Sequence, residues 1–322
     1  MTHIQVGTLN ELYQVLHALE KPIALWDFFS GELGHETLYV QALGGKFYDD
    51  NKQTACVVAL CWKGCAILHQ NVSDIQIELD GVGISTMDSA AHKGEGRYLW
   101  LINHGHVEAV DGIPGIVARF GPAYWQNGKK NSLQGKIPTN HYLEQDGYKT
   151  DWHGATAYIA DRLERTGFRF DAGDPIVDRA YISLFDRNDR LKTFRNTQDW
   201  HFQFARELAD ANGLGLVVLK GWYARPCPVE AIEFHAMYRD LRTFINIVTN
   251  AVIHLSPPSG TSELAMVAGC DLAALSFYKE HEDAGEKLLR RRGFRYFNYL
   301  TGLHSDLSDA VRLFVAEEGL AL

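Results

Sequence analysis

The chain has 322 residues, which exceeds the usual size of one hydrophobic core and predicts two domains. Hydrophobic residues make up 46% and charged residues 22%, a balance typical of globular proteins, which excludes wholesale disorder. The net charge of −9 argues against a general nucleic-acid binder or a protein that attaches to anionic membranes.

The first half of the chain opens with a strand, a glycine-bearing turn and a helix. The apolar run 22–29 (PIALWDFF) predicts the strand, and the helical pattern 35–45 ends at two glycines. Later patterns predict three strands and one helix, namely 55–62, 75–79, 97–105 and then the helix 151–168. The segment 171–175 (DAGDP) reads as a linker into a second domain.

Strands and helices alternate at short spacing in the second half. Apolar runs predict strands at 180–185, 214–219, 250–255, 272–277 and 294–300. Helical patterns fill the intervals at 199–213, 262–269 and 285–293, and the stretch 229–245 predicts a helix with its connection. Such alternation favours a parallel sheet with helices on both faces.

These elements together predict an α/β protein of two Rossmann-like domains that face a cleft. The predicted domains are residues 1–172 and residues 173–322. The amphipathic tail 305–320 predicts a C-terminal helix, which we expect to pack back on the first domain. Ligands of doubly wound sheets bind beyond the carboxyl ends of strands, so the residues at strand ends are the candidates for function.

The turn after the first predicted strand, SGELGHE, is one candidate. Gly31 and Gly34 bracket it and let a ligand approach the backbone closely. Glu32, His35 and Glu36 are candidate proton acceptors. A purely structural alternative stays open, because the helix dipole alone favours an acid in a first helical turn and a histidine is at home on a surface.

A basic segment follows the strand predicted at 180–185. Arg187 comes directly after the strand-end residue Asp186, and Lys192 and Arg195 lie downstream. Guanidinium groups at a strand's carboxyl end bind phosphate oxygens in bidentate fashion. The alternative is a solvated loop of paired aspartates and arginines.

The segment SPPSGTSE lies between a predicted strand and a predicted helix. Amides in a first helical turn have no partner inside the helix, and the dipole favours an anion there, so Ser259, Gly260, Thr261 and Ser262 predict a phosphate site. Glu263 could reach a ribose hydroxyl or cap its own helix. The segment lacks the ending of a Walker loop, and an ordinary capped turn is the alternative.

Neither a metal site nor a membrane span is predicted. Cys61 and Cys65 lack a second cysteine pair, and His104 and His106 lack an accompanying carboxylate ladder. The odd number of cysteines fits reduced thiols. No apolar run reaches the ~18–20 residues that span a bilayer and no leader pattern opens the chain, so we expect a cytoplasmic protein.

These segments resemble parts of GT-B glycosyltransferases, enzymes with two Rossmann domains. The strand ending in Asp186 and Arg187, the strand LGLVVLKG and the segment SPPSGTSELAMVAG are similar to the donor-binding domain, and the last resembles the donor loop of heptosyltransferase-like enzymes. The SGELGHE turn resembles their glycine turn near the acceptor and the catalytic base. Those enzymes usually carry Asp directly after the second glycine, where this chain has His35 and then Glu36.

The resemblance implies a metal-independent, inverting glycosyltransferase without a cofactor, whose substrate is a nucleotide-sugar. The donor diphosphate would contact the amides of Ser259–Ser262 and Arg187, and a first-domain side chain would deprotonate a carbohydrate or other hydroxyl acceptor. A nucleotide-sugar 2-epimerase or hydrolase and a non-catalytic nucleotide-sugar-binding protein are the alternatives. The negative charge disfavours a nucleic-acid acceptor without excluding one.

Overall fold

A computed structural model of the chain describes residues 2–27, 37–38, 40–79, 110, 112–120, 125–126, 129–130, 152–188, 196–221, 225–235, 240–257, 259–276 and 282–300. The chain divides into two compact units, residues 1–162 with 238–240 and residues 163–237 with 241–322. Each unit contains a parallel β-sheet, which confirms the predicted two-domain α/β architecture. The strand predicted at 97–105 and the C-terminal helix predicted at 305–320 lie outside the described residues.

The first unit is built on a five-stranded parallel sheet. Its strands are β1 (Thr2–Val6), β2 (Ile23–Trp26), β3 (Cys56–Trp62), β4 (Ile75–Leu79) and β5 (Ile116–Phe120). Their order across the sheet is β1-β4-β3-β2-β5. A separate antiparallel pair is formed by β6 (Trp125–Gln126) and β7 (Lys129–Lys130).

Helical segments of several kinds connect these strands. They are α1 (Leu9–Ala18), a π-helix (Val40–Gly44), α2 (Gly45–Asn51), a 3₁₀-helix (Ala66–His69) and α3 (Trp152–Thr166). The chain runs from β2 to β3 and β4 on one side and returns to β5 on the other, so the switch point of this sheet lies between β2 and β5. All four side chains of β2 are buried, which explains its continuous apolar sequence.

The second unit is built on a six-stranded parallel sheet. Its strands are β8 (Tyr181–Asp186), β9 (Gly215–Lys220), β10 (Ile232–Phe234), β11 (Ile253–Ser256), β12 (Leu272–Ser276) and β13 (Tyr296–Leu300). The order is β10-β9-β8-β11-β12-β13, which, counted from β8, is the 3-2-1-4-5-6 order of a Rossmann fold. Its switch point therefore lies between β8 and β11.

Among the described residues of this unit, the helices that connect the strands are α4 (Asp199–Ala211), α5 (Leu241–Asn250), α6 (Gly260–Ala268) and α7 (Glu282–Arg291). Helix α4 packs on β8 and β9, and α6 packs on β11 and β12. The core between α4 and the sheet includes Phe202, Leu208, Leu216 and Leu255, each fully buried. This packing fixes where α4 and α6 begin at the carboxyl edge of the sheet.

One element of the second unit differs from the sequence prediction. The stretch 229–245, predicted as a helix with its connection, contains strand β10 before helix α5 begins at Leu241. The three residues of β10 are exposed or half-buried, and β10 pairs with β9 at the edge of the sheet. A short edge strand has no continuous apolar pattern, so it depends on tertiary pairing that local sequence does not reveal.

Within the described parts of the chain, no helix combines the length and apolar character needed to cross a bilayer.

Candidate functional site

The switch point of the second sheet brings two predicted segments to one edge. Ser183 of β8 stands opposite His254 of β11 in the parallel register. Strand β8 therefore ends at Asp186 beside the end of β11 at Ser256. Arg187 and the segment 259–263 follow directly at this edge, where ligands of doubly wound sheets bind.

Helix α6 begins in a geometry that leaves backbone amides for a ligand. Ser259 is the N-cap residue with extended backbone, and its N–H donates to Oγ of Ser262 at 3.1 Å. The amides of Ser262 and Glu263 donate to the Ser259 carbonyl at 3.0 and 3.3 Å. The amides of Gly260 and Thr261 precede these bonds and have no intrahelical acceptor.

The hydroxyl groups of this segment are bonded to one another. Oγ of Ser259 contacts Oγ1 of Thr261 and donates to the Pro257 carbonyl at 3.1 Å. Thr261 is 1% exposed. The reciprocal cap of α6 comes from Ser262, whereas the sequence offered Glu263 for that role. An anion here would therefore meet backbone amides first, and Gly260 adds no side chain in its path.

A charge network lies under the end of β8. The carboxylate of Asp186 is buried and lies 3.5 Å from Nζ of Lys220 and 3.3 Å from Nε of Arg225. Burial raises the pKa of the Asp186 carboxyl, and the charges of Arg225 and Lys220 oppose that rise. Nζ of Lys220 also lies 2.9 Å from Oε2 of Glu233, the middle residue of β10.

The backbone after β8 is held closely against β9. The amide of Gly221 donates to the Asp186 carbonyl at 3.1 Å. A Cβ at Gly221 would lie 2.9 Å from that carbonyl oxygen, so a side chain there would push the end of β8 away. Arg187, the first residue beyond the strand, is half-buried. Lys192 and Arg195, predicted to bind the donor with it, lie outside the described residues.

Two buried histidines of this unit stay neutral near pH 7. Nδ1 of His254 lies 2.8 Å from Oγ of Ser183, and Nδ1 of His201 accepts the amide of Gln198 at 2.8 Å. Burial lowers the pKa of each imidazole to about 3. His254 and His201 therefore act as hydrogen-bonding core residues rather than as acid–base groups. Both histidines lie within apolar runs of the sequence, which do not indicate these hydrogen bonds.

The carboxyl edge of the first sheet carries a buried ion pair. Asp27 follows β2 directly and is fully buried, and its Oδ2 lies 2.6 Å from Arg119 of β5. The ring of Trp26 stacks on Phe120 of β5 with centroids 4.5 Å apart. The predicted catalytic turn begins three residues beyond Asp27, and its candidates Gly31, Glu32, Gly34, His35 and Glu36 lie outside the described residues.

A cavity of about 350 Å³ lies at the opposite edge of the second sheet. Its lining includes Arg179, Arg206 and Gly215, which lie at or near the amino ends of β8 and β9 or on α4. The lining also includes two carboxylates, Asp210 and Glu230, which balance the charge of the two arginines. The cavity therefore favours neither an anionic nor a cationic ligand. No group of three histidine, cysteine or acidic side chains is placed to hold a metal ion among the residues described.

No family model and no curated protein matches this chain. Its fold is similar to that of the E. coli ADP-heptose LPS heptosyltransferase II, with 11% identity, a TM-score of 0.52, and 91% of this chain and 98% of that chain covered. It is also similar to a glycosyl transferase family 9 protein from Veillonella parvula, with 12% identity, a TM-score of 0.52, and 94% of each chain covered.

A looser likeness extends to the dodecameric iron-containing heptosyltransferase TibC in complex with ADP-D-beta-D-heptose. The two chains share 15% sequence identity, and the TM-score is 0.42. The match covers 80% of this chain and 58% of the length of TibC. The likenesses to the heptosyltransferase II and to the Veillonella parvula protein, at 11% and 12% identity, show the fold alone, and this chain has the GT-B fold.

Proposed function

We propose that this protein is a glycosyltransferase that moves a sugar from a nucleotide-sugar donor to the hydroxyl group of a carbohydrate or other acceptor. One observation carries the proposal. The order of the second sheet places its switch point between β8 and β11, and both segments predicted to bind the donor, at Arg187 and at Ser259, leave the sheet at that point.

The chemistry at this edge suits a nucleoside diphosphate leaving group. The amides of Gly260 and Thr261 and the dipole of α6 favour negative charge at the helix N-terminus. Arg187 neutralises the charge that develops on the diphosphate as the bond to the sugar breaks. Lys192, Arg195 and Glu263 complete the proposed donor site, with Glu263 on a ribose hydroxyl.

The acceptor oxygen forms the new bond to the sugar and loses its proton to a base. We assign this base to the turn that holds Glu32, His35 and Glu36, with Gly31 and Gly34 allowing close approach of the acceptor. A single displacement of this kind inverts the configuration at the sugar carbon. Amides and a guanidinium supply the charge stabilisation, so the proposed reaction requires neither a cofactor nor a bound metal.

A thermal-shift screen with ADP, UDP, GDP and CDP tests the donor site. ADP comes first because one of the similar proteins is an ADP-heptose LPS heptosyltransferase. A ligand at 100 times its Kd adds about 2.7 kcal/mol to the unfolding free energy, so a preferred nucleotide raises Tm. We expect Arg187→Ala and Thr261→Ala to lower the affinity for that nucleotide. The control Arg179→Ala, at the amino edge of the sheet, should leave that affinity unchanged. Full affinity in both site variants would contradict the proposed donor site.

Turnover then separates the chemical step from binding. With a donor sugar-nucleotide, Glu36→Gln and His35→Ala should lower the transfer rate far more than donor affinity. Full rates in both variants would place the base elsewhere. Release of free sugar in the absence of any acceptor would instead identify a hydrolase.

A further inference from the structure

Both polar backbone atoms of Arg187 are bonded to Thr197, a residue of the loop that lies two positions before α4 begins. The amide of Arg187 donates to Oγ1 of Thr197 at 2.9 Å, and the amide of Thr197 donates to the Arg187 carbonyl at 2.9 Å. The same hydroxyl donates to the Phe185 carbonyl at 2.9 Å. Thr197 is 2% exposed, so these bonds are protected from water.

The remaining polar group of Thr197, its carbonyl, is held by Arg225. Nη2 of Arg225 donates to that carbonyl at 2.6 Å, and Nε donates to Oδ1 of Asp186 at 3.3 Å. Nη1 donates to Asp199 in the first turn of α4 at 3.3 Å. The guanidinium carbon lies over the ring of Phe202, 4.9 Å from its centroid, within the range of a cation–π interaction.

One arginine thus ties three positions together: the last residue of β8, the residue that bonds the Arg187 backbone, and the beginning of α4. A forked guanidinium suits this task because it donates in several fixed directions at once. A lysine retains the charge but lacks the fork. The two residues form a unit, which we call the Thr197–Arg225 clamp.

We propose that the Thr197–Arg225 clamp positions Arg187 for the donor diphosphate, with Thr197 and Arg225 as positioning residues that do not themselves contact the substrate. The inference rests on the proposed function. A guanidinium on a fixed backbone loses less conformational freedom on binding than one on a mobile loop, so the clamp raises affinity for the charged part of the donor. The clamp does not change the affinity for the nucleoside part of the donor, because Arg187 binds the diphosphate.

The test compares Thr197→Val, Thr197→Ser and Arg225→Lys with wild type and with the matched control Arg206→Lys. Arg206 also bridges a carboxylate and two backbone carbonyls in the second unit, but at the amino edge. Calorimetry measures the affinity of each variant for the nucleoside diphosphate that most stabilises the wild type, and for the corresponding nucleoside. Hydrogen exchange of the Arg187 amide reports the clamp without any ligand.

We expect Thr197→Val and Arg225→Lys to lower the affinity for the nucleoside diphosphate about tenfold, equivalent to ~1.4 kcal/mol. The affinity for the nucleoside should stay unchanged. Thr197→Ser, which keeps the hydroxyl, should restore affinity and Arg187 amide protection. Arg206→Lys should change neither affinity. The serine–valine pair keeps the test informative if Arg225→Lys does not fold.

Two results would overturn the proposal in different ways. Diphosphate affinity in Thr197→Val and Arg225→Lys equal to that of Arg206→Lys would leave the clamp a structural feature only, and the proposed function would survive. A wild-type protein that binds none of the four nucleoside diphosphates would remove the proposed donor site and the role of the clamp with it.

Discussion

The two sheets carry an aspartate in the same place, at the end of the strand that borders the switch point, and bond it differently. Asp27 of the first sheet forms a short contact of 2.6 Å with Arg119. Asp186 of the second sheet is shared by Lys220 and Arg225, and each of these cations has a second carboxylate, Glu233 and Asp199 respectively. Arg119 therefore lies closer to Asp27 than Lys220 or Arg225 lies to Asp186, whereas the two cations around Asp186 belong to a shared network of carboxylates.

This contrast predicts unequal costs for the same substitution. Asp27→Asn should lower the unfolding free energy by about 3–5 kcal/mol, because it removes the charge of a fully buried carboxylate that lies 2.6 Å from a largely buried guanidinium. Asp186→Asn should cost about 1–3 kcal/mol, because both cations retain a carboxylate. Hydrogen exchange of core amides in β2 and β8 reports the two units separately. Equal costs would show that the second network gives no compensation.

The buried histidines predict different acid sensitivity in the two units. Burial lowers the pKa of His69 in the first unit, and of His201 and His254 in the second, from 6.5 to about 3. Below pH 6.5 the unfolded chain binds these protons and the folded chain does not, so the stabilisation is complete above pH 6.5 and is lost as pH falls towards 3. Each of these histidines contributes about 1.4 kcal/mol per pH unit, and two of the three that the structure describes as buried lie in the second unit.

Hydrogen exchange between pH 6.5 and pH 5 measures the two slopes. We expect His201 and His254 together to contribute about 2.7 kcal/mol per pH unit to the slope in β8 and β11, and His69 to contribute about 1.4 kcal/mol per pH unit in β3 and β4. His254→Gln should therefore reduce the slope in β8 and β11 by about half of that contribution. An unchanged slope in His254→Gln would mean that the folded protein also binds a proton at this imidazole.

Local sequence predicted the elements whose surroundings are uniform. Strand β9 is buried on both faces and therefore has a continuous apolar sequence, whereas β10 lies at an edge and was hidden in a predicted helix. The Ser259 segment was recognisable because a helix N-terminus is coded by adjacent residues. The role of Arg225 was not recognisable from local sequence. Its partners Asp186, Thr197 and Asp199 lie in a strand, a loop and a helix that only the fold brings together.

Two glycines test how tightly each unit is packed near its switch strand. A Cβ at Gly221 would lie 2.9 Å from the Asp186 carbonyl oxygen, whereas a Cβ at Gly44 would make ordinary contact with Trp26 at 3.6 Å. Gly221→Ala should cost about 1–3 kcal/mol by forcing strands β8 and β9 apart. Gly44→Ala should stabilise by about 0.4–1 kcal/mol, because its helical backbone accepts a side chain. Denaturant unfolding of both variants checks the sign of each change.

The smallest effect compares two capped helices. In α1 of the first unit, Oγ1 of the N-cap residue Thr8 accepts the amide of Glu11 at 3.2 Å. In α6 the bond is reversed, because Oγ of Ser262 in the first turn accepts the amide of the N-cap residue Ser259 at 3.1 Å. Thr8→Ala and Ser262→Ala should each lower stability by about 1 kcal/mol. Strand β1 is an edge strand and β11 borders the switch point, so only Ser262→Ala should also weaken nucleoside diphosphate binding. If Thr8→Ala also lowers the affinity for the nucleoside diphosphate, the position of the preceding strand in the sheet does not determine which helix binds the ligand.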